Sequence, residues 1–238
     1  MKDLDAWEDG LILRLKEHPV LKLVPSLGEE EFTGLLLQRR FVSLAFTPAY
    51  DLAIDLLTDE AAKQAARVIL REEYPDGTGR TPSHREDMKE DLLALGVSRG
   101  RLVTTRPTPA TAEAITATME LIADCGAAPD SDLRLVTMLR LWGEILVSVE
   151  YGAFWPRMKP VFVRDGRNHS RFYHPHYVHD EKTTPLSQVS LLSTTHSDRL
   201  AVRLADLLAR DGGAASFREV EERALAVKLG FYAQFAVG

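Results

Sequence analysis

An all-α bundle of seven or eight helices is the fold class that the sequence predicts, and three observations predict it. Apolar residues recur at spacings of three and four along nearly the whole chain. Cap-plus-proline starts and glycine stops divide the chain into helix-sized pieces. No stretch alternates with the period of two that a half-buried strand needs; VFVR at 161–164 is too short and isolated to found a sheet, and no longer repeat recurs.

The elements follow in order. Residues 4–17 place Leu4, Trp7, Leu11 and Leu15 on one apolar stripe. From about 30 to 57 a second helical stretch, EEFTGLLLQRRFVSLAFTPAYDLAIDLL, is interrupted or kinked at Pro48, which removes a backbone donor and clashes with the preceding turn. Asp59 caps a third helix running to Glu73, with Ala62, Ala65, Ala66 and Ile69 on its buried face. YPDGTGRTPSHRED breaks that helix. The next one starts at Thr81-Pro82 or at the capping box Ser83/Glu86, and stops at Gly96 after about Leu95. Thr108-Pro109 starts a helix over ATAEAITATMELIADC. Pro129-Asp130-Ser131-Asp132 then opens the most apolar helix, LRLVTMLRLWGEILVSVEYGAF. It is apolar over well more than half its circumference and therefore central. Beyond Pro156 an irregular, His-rich region runs to about 186, and helices over about 187–210 and 217–235, separated by DGGAAS, complete the pattern.

Composition sets the class. The 238 residues are 45% hydrophobic and 27% charged, as in a soluble globular protein, and residues 1–238 read as one domain. A core of this size needs no disulfide or structural metal, so a metal here would serve chemistry. Lys and Arg number 29 against 35 Asp and Glu, for a net charge of -6, which lacks the basic excess that nucleic acid binding requires. MKDLDAWEDG has no apolar stretch for a signal peptide or membrane span, and the lone Cys125 forms no internal disulfide; both point to a reducing, cytoplasmic setting. GTGR is no phosphate loop, and GxSxG, HExxH and paired CxxC motifs are absent.

Chemistry is sought where polar side chains fall on apolar faces. Glu73 lies four residues after Ile69 and so continues the buried stripe, where a carboxylate needs a partner; the plainer alternative is that Glu72 and Glu73 are acidic residues at a frayed helix end. His84 precedes Met88, Leu92 and Leu95 at helical spacing and faces the same interior, either as a ligand beside Glu73 or as a core histidine bonded to a carbonyl. The central helix carries Glu144, on a polar stripe with Thr137, Arg140 and Ser148, and Glu150, beside Leu139, Gly143 and Leu146. A salt bridge to Arg140 is the bland account of Glu144, and solvent contact near the helix end that of Glu150. Four of the seven histidines crowd into HSRFYHPHYVH, where a helix starting at Pro175 would put His176, His179 and Asp180 on one face. The cluster is otherwise an exposed loop. His196 opens HSDRLAVRLADLL above Leu200 and Leu204 and can also point inward.

Taken in order, an interior Glu in REEYPDGTGRTPSH, a His soon after it, then ALG, a central glutamate in LWGEILVSVEY and a later HxxxD resemble the heme-oxygenase-like diiron oxidases and oxygenases. That superfamily also holds the TenA-like and PqqC-like proteins. The likeness covers about residues 30 to 235 in layout. It implies a heme-oxygenase-like bundle of seven to eight helices holding one or two Fe ions, O2 as co-substrate, and a small organic substrate, such as an amino acid or fatty acid, in an apolar pocket along the central helix. A homodimer is compatible with it. Carried over by motif, the implied metal ligands are Glu73, His84, Glu144, His176 and Asp180.

Two departures stand out. QRRFVSLAF has no carboxylate where the family supplies one from an earlier helix, and the last histidine of HxxxDxxH is Thr183, unless His196 replaces it from beyond an insertion. They leave open a mononuclear site, a metal-independent PqqC/TenA-like reaction with histidines as acid and base on a heterocycle, or a helical binding protein without a working site. The nucleophilic cysteine of TenA-type thiaminases belongs to a late helix, whereas Cys125 ends a mid-chain one and reads as a small buried residue.

Overall fold

The computed structural model describes residues 1–78, 80–190, 195–211 and 213–236. Its helices are α1 (Lys2–Lys16), α2 (Pro19–Leu23), α3 (Glu29–Leu44), α4 (Phe46–Leu56), α5 (Glu60–Glu72), α6 (His84–Ala94), α7 (Arg99–Thr104), α8 (Pro109–Ala127), α9 (Ser131–Met138), α10 (Leu146–Phe162), α11 (Tyr173–His179), α12 (His196–Asp211) and α13 (Ala214–Ala233). A π-helical segment, Leu139–Ile145, joins α9 to α10 without a break. The all-α class therefore holds, with more segments than the sequence pattern resolves. The five residues of α2 and six of α7 are too short to display a period.

Proline explains two differences. The 30–57 stretch breaks at Ala45 rather than at Pro48, which sits in the first turn of α4, where its missing N–H has no carbonyl to meet. Pro156 does not end the central helix either. α10 continues through Pro156 and Pro160 to Phe162, because Phe154, Met158 and Phe162 are buried along it and their packing outweighs the cost of about 3 kcal/mol for an interior proline. After it, β1 (Val163–Arg164) and β2 (Arg167–Asn168) form a two-residue hairpin with both turn residues, Asp165 and Gly166, at positive φ.

Start signals behave more simply. Of the two candidate starts for α6, the structure uses the capping box: Ser83 Oγ accepts from Glu86 N at 3.2 Å, and Glu86 Oε2 accepts from Ser83 N at 2.9 Å. Ser83→Ala is expected to cost about 1 kcal/mol in urea denaturation, with the loss felt at the next residue, His84. The helix expected over 187–210 begins only at His196. Asp5 of α1 captures Leu186 N, Ser187 N and Ser187 Oγ, which holds that stretch in a turn, and residues 191–194 lie outside the described residues.

The central rod organises the rest. Every residue from Leu135 to Tyr151 is buried, and α12 and α13 pack along the π-helical segment while α1 and α11 flank α10. A continuous apolar cluster runs from Leu4 to Tyr232 around this rod. Among the described residues no helix is long and apolar enough to cross a membrane.

Candidate metal centre

Two triads form at the heart of the bundle. Glu73, His84 and His176 make one and Glu144, Asp180 and His196 the other; within each, the potential ligand atoms lie within 4.8 Å of one another. Neighbouring residues serve both. Glu72 and Glu73 end α5 side by side, and His176 and Asp180 stand four residues apart on and just after α11.

In the first triad, His84 at the first position of α6 meets the C-cap residue of α5 across the turn: Nδ1 lies 2.8 Å from Glu73 Oε1. His176 Nε2 lies 4.0 Å from the same oxygen, and the two imidazoles meet edge to face at 4.7 Å. His176 Nδ1 is 2.7 Å from the Phe172 carbonyl. A carbonyl only accepts, so Nδ1 carries the proton and Nε2 is the nitrogen turned toward Glu73. Burial would raise Glu73, but His176 and His84 outweigh it and hold its carboxyl down at about 2. Burial would likewise lower His176, which Glu73 and Asp180 push up to about 9.

The second triad is more deeply enclosed. His196 Nδ1 lies 3.2 Å from Asp180 Oδ1 and 3.3 Å from Glu144 Oε2, while its Nε2 is 3.1 Å from Glu72 Oε2. Tyr50 on α4 donates its hydroxyl proton to Glu144 Oε1. Asp180 Oδ1 is buried, and its approach to His196 Nδ1 is poorly aligned for a hydrogen bond. Burial, then the charge of Glu144, push Asp180 up to about 7. His196 goes up to about 12 against its burial, because Asp180, Glu144 and Glu72 all favour its cation. Two carboxylates thus share one imidazolium where a divalent ion would neutralise both.

The donor set fits a metal on three counts. Two histidines with one carboxylate, as in the first triad, are the ligands that suit non-heme Fe(II) with open positions. In each triad a histidine has its outer nitrogen held by an oxygen, the Phe172 carbonyl for His176 and Glu72 for His196, which fixes the inner nitrogen for a ligand. Asp180 Oδ1 and Glu144 Oε2 both face the single His196 Nδ1, so the two buried oxygens have one donor between them.

A cavity of about 400 Å³ opens beside the first triad, with Glu73 and His176 in its wall and Phe46, Trp142, Val147 and Phe172 among its apolar lining. The π-helical turn contributes to both features, since Glu144 reaches the second triad while Trp142 and Gly143 face the cavity. Gly143 lets Tyr50 approach closely: a Cβ would stand 3.0 Å from the ring that bonds Glu144 and would press on it.

No family model and no curated protein matches the sequence. Solved structures do match in shape. A TenA family transcription regulator from Silicibacter sp. TM1040 superposes with a TM-score of 0.63 at 14% identity, covering 98% of this chain and 95% of that one. A TenA homolog from Pseudomonas syringae pv. tomato str. DC3000 gives 0.67 at 12%, over 98% and 91%. A CADD-like protein from Nostoc punctiforme PCC 73102 gives 0.61 at 11%, over 99% and 97%. The chain has the heme-oxygenase-like fold. In it, the five ligands implied by the resemblance and His196 lie in the two triads, with His196 beside Asp180, while Thr183 bonds Asp198 instead.

Other side chains of this heme-oxygenase-like bundle behave differently from expectation. Arg140 does not pair with Glu144 but with Glu8 of α1, and Glu150 is not near solvent but fully buried against Arg39 and Lys228. Of the crowded histidines only His176 enters a triad; His169 and His179 are exposed, and His174 packs on Trp155. Cys125 is buried, and burial pushes its thiol up to about 12, too high for a nucleophile at neutral pH. Tyr50 and the role of Glu72 escape sequence reasoning, because each acts through a residue distant in the chain.

Proposed function

We propose that this protein is a non-heme iron oxidase or oxygenase with two metal positions, Glu73–His84–His176 and Glu144–Asp180–His196, acting with dioxygen on a small organic substrate in the adjoining cavity. The observation that carries the reading is that two three-ligand groups stand next to each other, one of them in the wall of a largely apolar chamber. Iron, when bound, supplies the electrons that activate dioxygen. The chain's own part is to orient and exclude. The Phe172 carbonyl and Glu72 fix the imidazoles of His176 and His196, Tyr50 fixes Glu144, and Trp142, Val147 and Phe172 keep water from the reacting end. His176 and His196, both held as imidazolium at neutral pH, must each give up a proton for the inner nitrogen to become a ligand, so loading releases protons.

Anaerobic titration with Fe(II) tests this. The expected result is two equivalents bound per chain with proton release, followed by oxygen consumption on mixing with air. Well-folded protein that takes up no iron would overturn it. A second reading, metal-free acid–base catalysis, is favoured by the direct 2.8 Å contact of His84 with Glu73. It predicts no bound iron and an activity indifferent to chelator.

A further inference from the structure

The same cavity has a second polar end, formed by groups from opposite ends of the sequence. Arg39 of α3 and Lys228 of α13 both line it, and both are about 2% exposed. Among the described residues their one paired carboxylate is Glu150 of α10, and all the pairing falls on one oxygen: Arg39 Nε and Nη2 donate to Oε2 at 2.9 and 2.6 Å, and Lys228 Nζ donates to it at 3.1 Å. Two cations therefore share one anion. The nearby phenols do not change the sum, because burial pushes Tyr151 up to about 12 and raises Tyr232 as well, leaving both neutral. Arg39 has Ser43 Oγ for its Nη1 at 2.8 Å and the Tyr151 ring beneath its guanidinium. The Lys228 ammonium, with three N–H groups, has Glu150 as its single hydrogen-bond acceptor among the described residues and otherwise lies over the Trp142 ring.

A net positive charge at this depth is costly unless a counter-charge arrives. Lys228 registers that cost: burial pulls its ammonium down to about 8, even with Glu150 beside it. Tyr151 lies between the two polar ends, touching Arg39 on one side and the His176 ring, 6.1 Å away, on the other. The rest of the lining is mostly apolar and aromatic, with Ser43, Thr47 and Ser83 as its further uncharged polar members.

We propose that Lys228 and Arg39 form an anion subsite that seats the carboxylate of a substrate with an apolar body, holding the far end of that body toward Glu73 and His176. This rests on the cavity being the substrate chamber, as in the reading above, but it does not need the iron. The spare N–H groups of Lys228 donate to the carboxylate, Arg39 adds charge, and Trp142, Val147 and Phe172 cover the body. Arg85 also lines the cavity but is exposed to solvent, and it is outside the subsite.

The test uses the metal-free full chain with two probes of one shape, 3-phenylpropanoate and its neutral amide, followed by titration calorimetry. A charge-assisted hydrogen bond in a buried site gives the acid a preference of at least about tenfold. Lys228→Met leaves Arg39 and Glu150 as a balanced pair, so the variant is expected to fold, to bind the amide within about twofold of wild type, and to lose the preference for the acid. His176→Gln and Arg85→Met are expected to keep it. Equal binding of acid and amide by wild type, or a preference that survives Lys228→Met, overturns the proposal. So does a preference lost in His176→Gln or Arg85→Met instead. If the iron reading fails, folded protein takes up no Fe(II) while the acid preference stands; if the subsite fails, iron uptake is unaffected.

Discussion

His84→Ala is expected to remove one of two Fe(II) equivalents and to cut oxygen consumption by about a hundredfold or more. Loss of a residue that only orients a ligand typically costs about 10- to 100-fold in metal affinity or activity, and loss of a ligand costs at least as much. His84 is a clean position for the change. It begins α6, its side chain is 23% exposed, and its hydrogen bond is to Glu73 alone among the described residues, so alanine leaves the fold intact and the first triad with two ligands. His196→Ala should remove the other equivalent and spare the first. His179→Ala is the control, since His179 is exposed and belongs to neither triad, although its ring centroid lies 6.3 Å from that of His196. Anaerobic titration of the three variants, followed by oxygen uptake, reads all of this. Two equivalents retained by His84→Ala would remove His84 from the site.

The ligand candidates were legible because each breaks an apolar helical phase. Glu73 continues the stripe of Ala62, Ala66 and Ile69, His84 starts the stripe of Met88 and Leu92, and His176 and Asp180 are spaced four apart. Phase says that a polar group faces inward; it does not say what it meets. Arg140 and Glu144 share a polar stripe in the sequence, yet Arg140 turns to α1 and Glu144 to α4 and α12, because the chain passes through a π-helical turn there. Helical periodicity assumes 3.6 residues per turn and cannot register such a segment. Glu150 is a similar case. Nothing near it in sequence announces that Arg39, 111 residues earlier, and Lys228, 78 residues later, converge on it. The short helices α2 and α7 were also hidden, because five or six residues display no period of their own, whereas α11 was expected from Pro175 and starts two residues earlier, at Tyr173.

Arg140→Met is expected to destabilise the protein by about 3–5 kcal/mol, and Glu8→Leu by a similar amount, while the double variant costs far less than their sum. Arg140 and Glu8 are both fully buried, and Arg140 holds Glu8 through both terminal nitrogens. Lys182 adds a second contact at 2.7 Å, which Glu8 shares with Asp9. Glu221 of α13 is buried beside Glu8; burial, then the Glu8 charge, hold it well above the usual carboxylate range, so it is neutral. The deep charges are therefore in balance, and removing either member of the pair leaves its partner exposed to a low-dielectric surrounding. Removing both removes that penalty. What remains is the loss of one hydrogen bond, from Arg140 Nε to the Ser197 carbonyl at 3.1 Å, at a cost of about 1 kcal/mol, since that carbonyl also belongs to the α12 ladder. That bond also ties the pair to the site. Ser197 follows His196, and its Oγ donates to the Glu181 carbonyl next to Asp180 at 2.7 Å. The double variant should therefore recover most of its urea stability yet bind the second iron more weakly than wild type, because His196 and Asp180 have lost their shared support. Full stability with unchanged iron affinity in the double variant would mean that the Glu8–Arg140 pair serves the core alone.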